Sequence, residues 1–161
     1  MKIYIQPLSV NSHTVEILKK RLPEVFKAEV FVLPASEISL KCYNPSRKQY
    51  NSTCLLRSLP PIRVTLAVTG KDIYATGMNF VFGEAELGGA RAILSVFRLS
   101  TADSKLYEER VVKEAVHEIG HVLGLKHCKN DCVMQFSNSV EDVDKKPISF
   151  CRVCASKIGF G

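Results

Sequence analysis

HEIGHVLGLKH, from His117 to His127, is the stretch of sequence that decides the fold, because it fixes a helix, the end of that helix and the return of the chain. His117 and His121 lie about 40° apart around a helix and therefore share one face. His127 would lie about 9 Å further along a continuing helix, too far to share a metal ion with them. Gly124 predicts the turn that brings it back, since glycine enters the left-handed conformation that ends helices without a Cβ penalty.

Three imidazoles at one point predict a zinc site, and three protein ligands leave a fourth position open, as in catalytic zinc sites. Glu118 is the candidate general base, which would take a proton from zinc-activated water and pass it to a leaving amine. The alternative is a buried helix whose histidines only satisfy hydrogen bonds, with Glu118 as an ordinary solvated carboxylate. Gly124 and His127 favour the metal site over a chance HExxH match.

The residues around the motif predict an active-site helix over positions 108–123. Its apolar residues recur at helical spacing and form one stripe, and by the same angular count the histidines lie on the opposite side. One face therefore packs on a core while the other presents imidazoles to a cleft. The stripe consists of Val112, Ala115, Val116, Ile119, Val122 and Leu123.

Four of the six cysteines lie after this helix, as Cys128, Cys132, Cys151 and Cys154. Two close pairs about twenty residues apart have the spacing of a tetrahedral structural zinc site. Two disulfides are the alternative, but they need an oxidising compartment. The start MKIYIQPLSV lacks the features of a signal peptide, so we expect a cytoplasmic protein. Cys42 and Cys54 stand apart and are predicted to be free, packed thiols.

Met134 follows His127 by seven residues, which suits the methionine turn found beneath the zinc of metzincins. The alternative is a methionine that only fills a gap in the core.

The segments HEIGHVLGLKHC, CVM and CRVC together resemble the archaemetzincin family of zinc metallopeptidases. The resemblance implies two zinc ions per chain, one catalytic and one structural, and a peptide or protein substrate. The implied fold is α/β and metzincin-like: a twisted mixed sheet with an antiparallel edge strand, an active-site helix and a small zinc-stapled C-terminal subdomain. The loop between Cys128 and Cys132 is one residue shorter than is usual in the family.

Hydrophobic patterns elsewhere predict strands at residues 2–8, 29–33, 62–68, 80–82 and 90–99, and helices at residues 15–26 and within 47–56. Residues 90–99 are the candidate for the antiparallel edge strand. An extended peptide could add to such an edge through main-chain hydrogen bonds, or the edge could simply face solvent.

Length and charge limit the number of domains and the kinds of binding partner. A chain of 161 residues suits one domain, divided here into residues 1–124 and a C-terminal part, residues 125–161. The net charge of +6 comes from scattered short pairs such as Lys145 and Lys146, which we interpret as a mildly basic surface. We therefore expect a monomer that binds neither nucleic acid nor membranes. A non-catalytic zinc protein that binds a peptide or protein partner is the alternative function, and Glu118 favours the enzyme.

Overall fold

A mixed five-stranded sheet lies at the centre of the computed structural model, which describes residues 1–160. Two short 3₁₀ helices, Leu40–Cys42 and Phe97–Leu99, supplement the regular elements. Those elements are, in chain order, β1 (Lys2–Leu8), α1 (Ser12–Phe26), β2 (Glu29–Val32), β3 (Tyr43–Asn44), β4 (Gln49–Asn51), α2 (Ser52–Arg57), β5 (Thr65–Thr69), β6 (Ile73–Tyr74), β7 (Gly83–Ala85), β8 (Arg91–Ser95), α3 (Ser104–Val122), α4 (Val140–Lys145) and α5 (Arg152–Lys157).

The central sheet has the strand order β2-β1-β5-β8-β7. All neighbouring pairs are parallel except β7 and β8, which are antiparallel. Helices α1 and α3 pack together against one face of the sheet. The other face is covered by α2 and a second apolar cluster that includes Ile38, Tyr50 and Leu55. This mixed α/β architecture confirms the predicted fold class.

The edge strand of this sheet is not the one that the sequence predicted. Residues 90–99 were expected at the antiparallel edge, but β8 is an internal strand between β5 and β7. Its residues Ala92, Ile93 and Leu94 are fully buried, as an internal strand covered on both faces requires. The antiparallel edge strand is β7, which lies just after the predicted strand at residues 80–82 and returns into β8 through Gly88 and Gly89.

A second, three-stranded sheet with the order β3-β4-β6 was not predicted. Its strands are two or three residues long, too short to show a period of two. The helix expected within residues 47–56 starts only at Ser52, because the Asn51 side chain accepts a hydrogen bond from the Cys54 N–H and caps it there.

Cys42 and Cys54 form a disulfide, so the prediction of two free thiols is wrong. Their Cα atoms lie 5.5 Å apart, although twelve positions separate them in the chain. The 3₁₀ helix that ends at Cys42 packs against α2, and this tertiary contact is invisible in the spacing of the cysteines. The other four cysteines are free thiols.

Within residues 1–160, none of the helices combines the length and apolar character needed to cross a bilayer.

Candidate active site

Helix α3 carries the first two histidines. It begins four residues before the predicted start, because the Asp103 carboxylate accepts hydrogen bonds from the N–H groups of Lys105 and Leu106 and caps the helix. It ends at Val122, and Gly124 follows with φ of +105°, as the sequence predicted. The chain then turns back, with the Leu125 N–H donating to the Gly120 carbonyl at 2.9 Å.

The turn brings the three predicted histidines together. Their ring centroids are 4.7 to 5.4 Å apart, and one ring nitrogen of each lies within 4.8 Å of the others. The Nε2 atoms of His117 and His121 are 3.1 Å apart. Two nitrogens bound to one tetrahedral zinc at 2.0–2.1 Å would be separated by about 3.3 Å, so this spacing fits such an ion.

Backbone carbonyls orient two of the rings. The Nδ1 atom of His117 lies 2.8 Å from the Val133 carbonyl oxygen, and that of His121 lies 2.6 Å from the Leu125 oxygen. A carbonyl can only accept, so each bond places a proton on Nδ1 and leaves the Nε2 lone pair free for a metal.

The histidines are held in the neutral form that binds metal ions. Burial lowers the pKa of His117 well below its usual value, and the nearby Lys146 ammonium lowers it further. Burial also lowers the pKa of His121 and of His127. At neutral pH all three imidazoles are therefore uncharged, as metal binding requires.

Glu118 lies beside this cluster with a buried carboxylate. Burial raises its pKa well above the usual value, and repulsion from Glu114 and Glu84 adds to this, while Lys146 opposes it. Its Oε2 atom has no hydrogen-bond partner within residues 1–160. Gly83 of β7 packs directly on the side chain, since a Cβ at this glycine would lie 2.8 Å from Glu118 Cγ.

A cleft of about 490 Å³ opens between β7 and the histidines. Its lining is mostly apolar outside the histidine cluster, and two of the apolar residues, Leu87 and Phe136, are about half exposed. The Phe136 ring lies 5.3 Å from that of His127. The apolar lining consists of Ala75, Met78, Phe80, Val81, Phe82, Ala85, Leu87 and Phe136.

Met134 is fully buried beneath α3. A Cβ at Gly120, which lies between the two helical histidines, would come within 2.5 Å of the Met134 sulfur. The missing side chain of Gly120 therefore makes room for this methionine next to the histidine cluster. The structure thus places Met134 beneath the histidine cluster.

The four predicted cysteines converge at a second cluster, in which one sulfur of each lies within 4.8 Å of the others. The Sγ atoms of Cys128 and Cys151 are 3.8 Å apart. Zn–S bonds of 2.3 Å in a tetrahedral site give about the same separation. The cluster adjoins the first site directly, because Cys128 follows His127 in the chain.

Backbone N–H groups point at these sulfurs. Cys132 Sγ accepts from Met134 and Cys151, and Cys151 Sγ accepts from Cys154, at 3.3 to 3.4 Å. The Cys154 N–H, at the start of α5, is the main cause that lowers the pKa of Cys151 to about 6. Burial raises the pKa of Cys132 and Cys154 instead. Donors aimed at sulfur suit thiolates bound to a cation better than disulfides.

Sequence reasoning missed Lys146 and Glu114. Lys146 was interpreted as part of a basic surface, but it is 2% exposed and its Nζ lies 2.7 Å from Glu114 Oε2. Nothing in the local sequence shows this burial. Glu114 could have been noticed, since it lies three residues before His117 and so on the same face of α3.

Comparison with known proteins supports the resemblance seen in the motifs. The family model of peptidase family M54 matches residues 31–159. An archaemetzincin of Archaeoglobus fulgidus is 82% identical over 160 residues, covering 99% of this chain and 100% of the relative. An archaemetzincin of Methanocaldococcus jannaschii is 48% identical, covering 98% of this chain and 93% of the relative.

Solved structures agree. The crystal structure of the Archaeoglobus fulgidus archaemetzincin complexed with malonate matches with a TM-score of 0.97 and 83% identity, over 98% of this chain and 99% of that one. A zinc-dependent peptidase from Methanocorpusculum labreanum matches with a TM-score of 0.85 at 26% identity, over 97% and 99% of the two chains. The chain therefore belongs to peptidase family M54, the archaemetzincins, and is a zinc metallopeptidase.

Proposed function

We propose that His117, His121 and His127 hold the catalytic zinc ion and that the four-cysteine cluster holds a second, structural one. The observation that carries this proposal is the presence of two separate ligand clusters, each with the spacing of a tetrahedral zinc site. The ligand types also suit the roles. Three imidazoles leave a position open for substrate, whereas four thiolates close the coordination shell.

Glu118 is the general base of the proposed reaction. When bound, zinc would polarise the scissile carbonyl and acidify a water molecule. Glu118 would accept a proton from that water and deliver it to the amine that leaves. Its unpartnered Oε2 atom is available for such a bond, and its raised pKa brings it closer to the working range of a proton shuttle.

The strand β7 is the proposed docking edge for substrate. It borders the cleft and has a neighbour, β8, on one side only. An extended peptide could add to the free side through main-chain hydrogen bonds, with alternate side chains entering the cleft. The apolar residues of the cleft favour apolar side chains there. Family membership and the retained Glu118 do not favour a protein that only binds peptides.

Metal analysis and one substitution test the proposal together. Elemental analysis with native mass spectrometry should give two zinc ions per chain, and His117→Ala should lose one. Glu118→Gln should lower kcat by a factor of about 10² or more, while zinc content and peptide affinity stay the same.

Glu109→Gln is the matched control, because Glu109 lies on the same helix and its carboxylate forms an ion pair with Arg21. It should leave hydrolysis unchanged. Unaltered hydrolysis in Glu118→Gln would show that the assigned base is wrong. If the wild type instead holds only one zinc ion, and His117→Ala retains that ion while replacement of the cysteines removes it, the histidine cluster is not a metal site.

A further inference from the structure

Lys146 lies buried against the histidine site, and no step of the proposed reaction uses it. It follows α4 directly, and its side chain is fully enclosed. Three groups surround its Nζ atom: Glu114 Oε2 at 2.7 Å, the Gln135 carbonyl oxygen at 3.3 Å and His117 Nδ1 at 3.4 Å. A buried ammonium in contact with a proposed metal ligand calls for a physical reason.

The two neighbours of His117 Nδ1 favour opposite tautomers. The Val133 carbonyl only accepts, so its 2.8 Å bond requires the proton on Nδ1 and frees Nε2 for zinc. The Lys146 ammonium only donates. A hydrogen bond from Lys146 to Nδ1 would require the ring proton on Nε2, and that tautomer cannot bind the metal through Nε2.

Glu114 lies closer to the Lys146 ammonium than His117 does, and this favours the tautomer with the proton on His117 Nδ1. Its Oε2 atom lies 0.7 Å closer to Lys146 Nζ than His117 Nδ1 does, from separations of 2.7 and 3.4 Å. The angle between the Lys146 ammonium and Glu114 Oε2 does not suit a hydrogen bond. The attraction between the two groups is therefore mainly that of opposite charges. Burial strengthens this attraction relative to water, but it also raises the pKa of Glu114, and the Lys146 ammonium opposes that rise. Glu114 is fixed on α3 one turn before His117, so it restrains the ammonium from a rigid position.

We propose that Glu114 and Lys146 are positioning residues for the zinc centre. Glu114 restrains the Lys146 ammonium, so that the His117 Nδ1–H donates a hydrogen bond to the Val133 carbonyl and Nε2 faces the metal. Lys146 also donates to the Gln135 carbonyl, which follows Met134. The pair thereby joins α3 to the segment beneath the site. This inference rests on the proposed function, because it takes His117 as a zinc ligand.

A second ion pair offers a matched control. Arg110 and Asp144 join α3 to α4 through two contacts of 2.8 Å, and Asp144 lies two residues before Lys146 in the chain. Arg110 lies almost two turns before His117, and its contacts are with Asp144 and the Leu99 carbonyl. Loss of this pair should weaken the same helix packing without changing the neighbours of His117.

The test is a double-mutant cycle read out as zinc affinity. The quantity is the dissociation constant of the zinc ion that His117→Ala removes, measured by competition with a chelator. Glu114→Gln should weaken it by about 10–100-fold, the usual effect of losing a residue that orients a metal ligand. Lys146→Met should have a smaller effect, because it removes the competing donor. The double variant should recover most of the affinity lost in Glu114→Gln.

Arg110→Met should lower the Tm and leave the zinc affinity unchanged. If all three single variants lose stability and zinc affinity alike, the pair of Glu114 and Lys146 is only structural and the proposal is overturned. A double variant as weak as Glu114→Gln would also overturn it, since the ammonium would not be the cause.

Glu114→Asp keeps the test usable if Glu114→Gln does not fold. It retains the charge but moves it away from the ammonium, so an intermediate loss of affinity is expected, and unchanged affinity would contradict the proposal. Failure of the proposed function itself would look different. In that case His117→Ala would remove no zinc from the otherwise unmodified protein.

Discussion

At the scale of single residues, Gly83 is where the edge strand and the proposed base come closest. A Cβ at this position would lie 2.5 Å from the Ile93 carbonyl oxygen and 2.8 to 2.9 Å from two carbon atoms of Glu118. Neither neighbour can move freely, because Ile93 belongs to β8 and Glu118 to α3. The absence of a side chain therefore lets β7 and α3 define one wall of the cleft each.

We expect Gly83→Ala to shift either β7 or Glu118. The free energy of unfolding should fall by about 1–3 kcal/mol, as for other overpacked sites, and kcat should fall more than KM rises. Denaturant unfolding and steady-state kinetics measure the two effects. Gly70→Ala is the control, since its Cβ would meet the Ser9 carbonyl at 3.3 Å and Val10 Cα at 4.0 Å, away from Glu118. Normal kcat in Gly83→Ala would contradict this account of the wall.

Single residues also show what the sequence can and cannot predict about the site. The spacing of the histidines predicted their meeting, because one helix and one glycine turn determine it. The disulfide of Cys42 and the burial of Lys146 were not predictable. Each depends on a partner in another element, and no local pattern records that contact.

At the scale of elements, α2 supports the edge strand from the side away from α3. The Ser52 hydroxyl donates to Glu84 Oε1 at 2.6 Å, and the Thr53 hydroxyl lies 2.9 Å from both carboxylate oxygens. Cys54, the next residue, is bonded to Cys42. The disulfide thus fixes the helix whose first turn holds Glu84 of β7.

Removal of this disulfide should destabilise the protein by about 2–3 kcal/mol, given the short loop that it closes. The comparison is between the wild type and the Cys42→Ser/Cys54→Ser variant, by denaturant unfolding without reductant. Zinc content should remain at the wild-type level, because the four other cysteines are untouched. Equal stability of the two proteins would show that packing alone holds α2 in place.

The ion pair between α3 and α4 should make stability depend on pH. Hydrogen bonds from Arg110 lower the pKa of Asp144, so this carboxylate contributes stability above its unfolded pKa and loses it as the pH falls through the folded value. Wild type should therefore be more stable than Asp144→Asn at pH 7, and the difference should shrink as the pH falls to about 3. Unfolding curves at each pH test this. A constant difference would exclude the ionised pair as its cause.

Long helices and strands were predictable from the sequence, and short ones were not. The helices α1 and α3 and the strand β1 carry enough residues for a pattern to emerge. The three-residue edge strand does not, and the buried run in β8 was mistaken for an edge. Whether an apolar strand lies inside or at the rim of a sheet depends on its neighbours in space.

At the scale of the whole molecule, the cysteine cluster and the histidine site share one stretch of backbone. The Cys128 N–H donates to the Met134 carbonyl, and the neighbouring Val133 carbonyl holds His117. His127 precedes Cys128. Displacement of the cysteine cluster would therefore disturb two of the three histidines.

Cys151→Ser/Cys154→Ser should accordingly weaken both sites. We expect loss of one zinc ion, weaker binding of the second by about 10-fold or more, and a lower Tm. Elemental analysis, chelator competition and thermal unfolding measure these effects. A variant that retains full metal content and activity would show that the two clusters are independent.

The shared backbone also implies an order of assembly. Binding of the proposed ion by the four thiolates would order the segment that carries His127 and the Val133 carbonyl, which contacts His117. We therefore expect the histidine site to reach its full affinity only when the cysteine site is filled, and to lose its ion more readily because its coordination is open. When zinc is scarce, we expect the histidine site to empty first, so that the protein stays folded but inactive. Binding of one zinc ion at the histidine site should then restore activity.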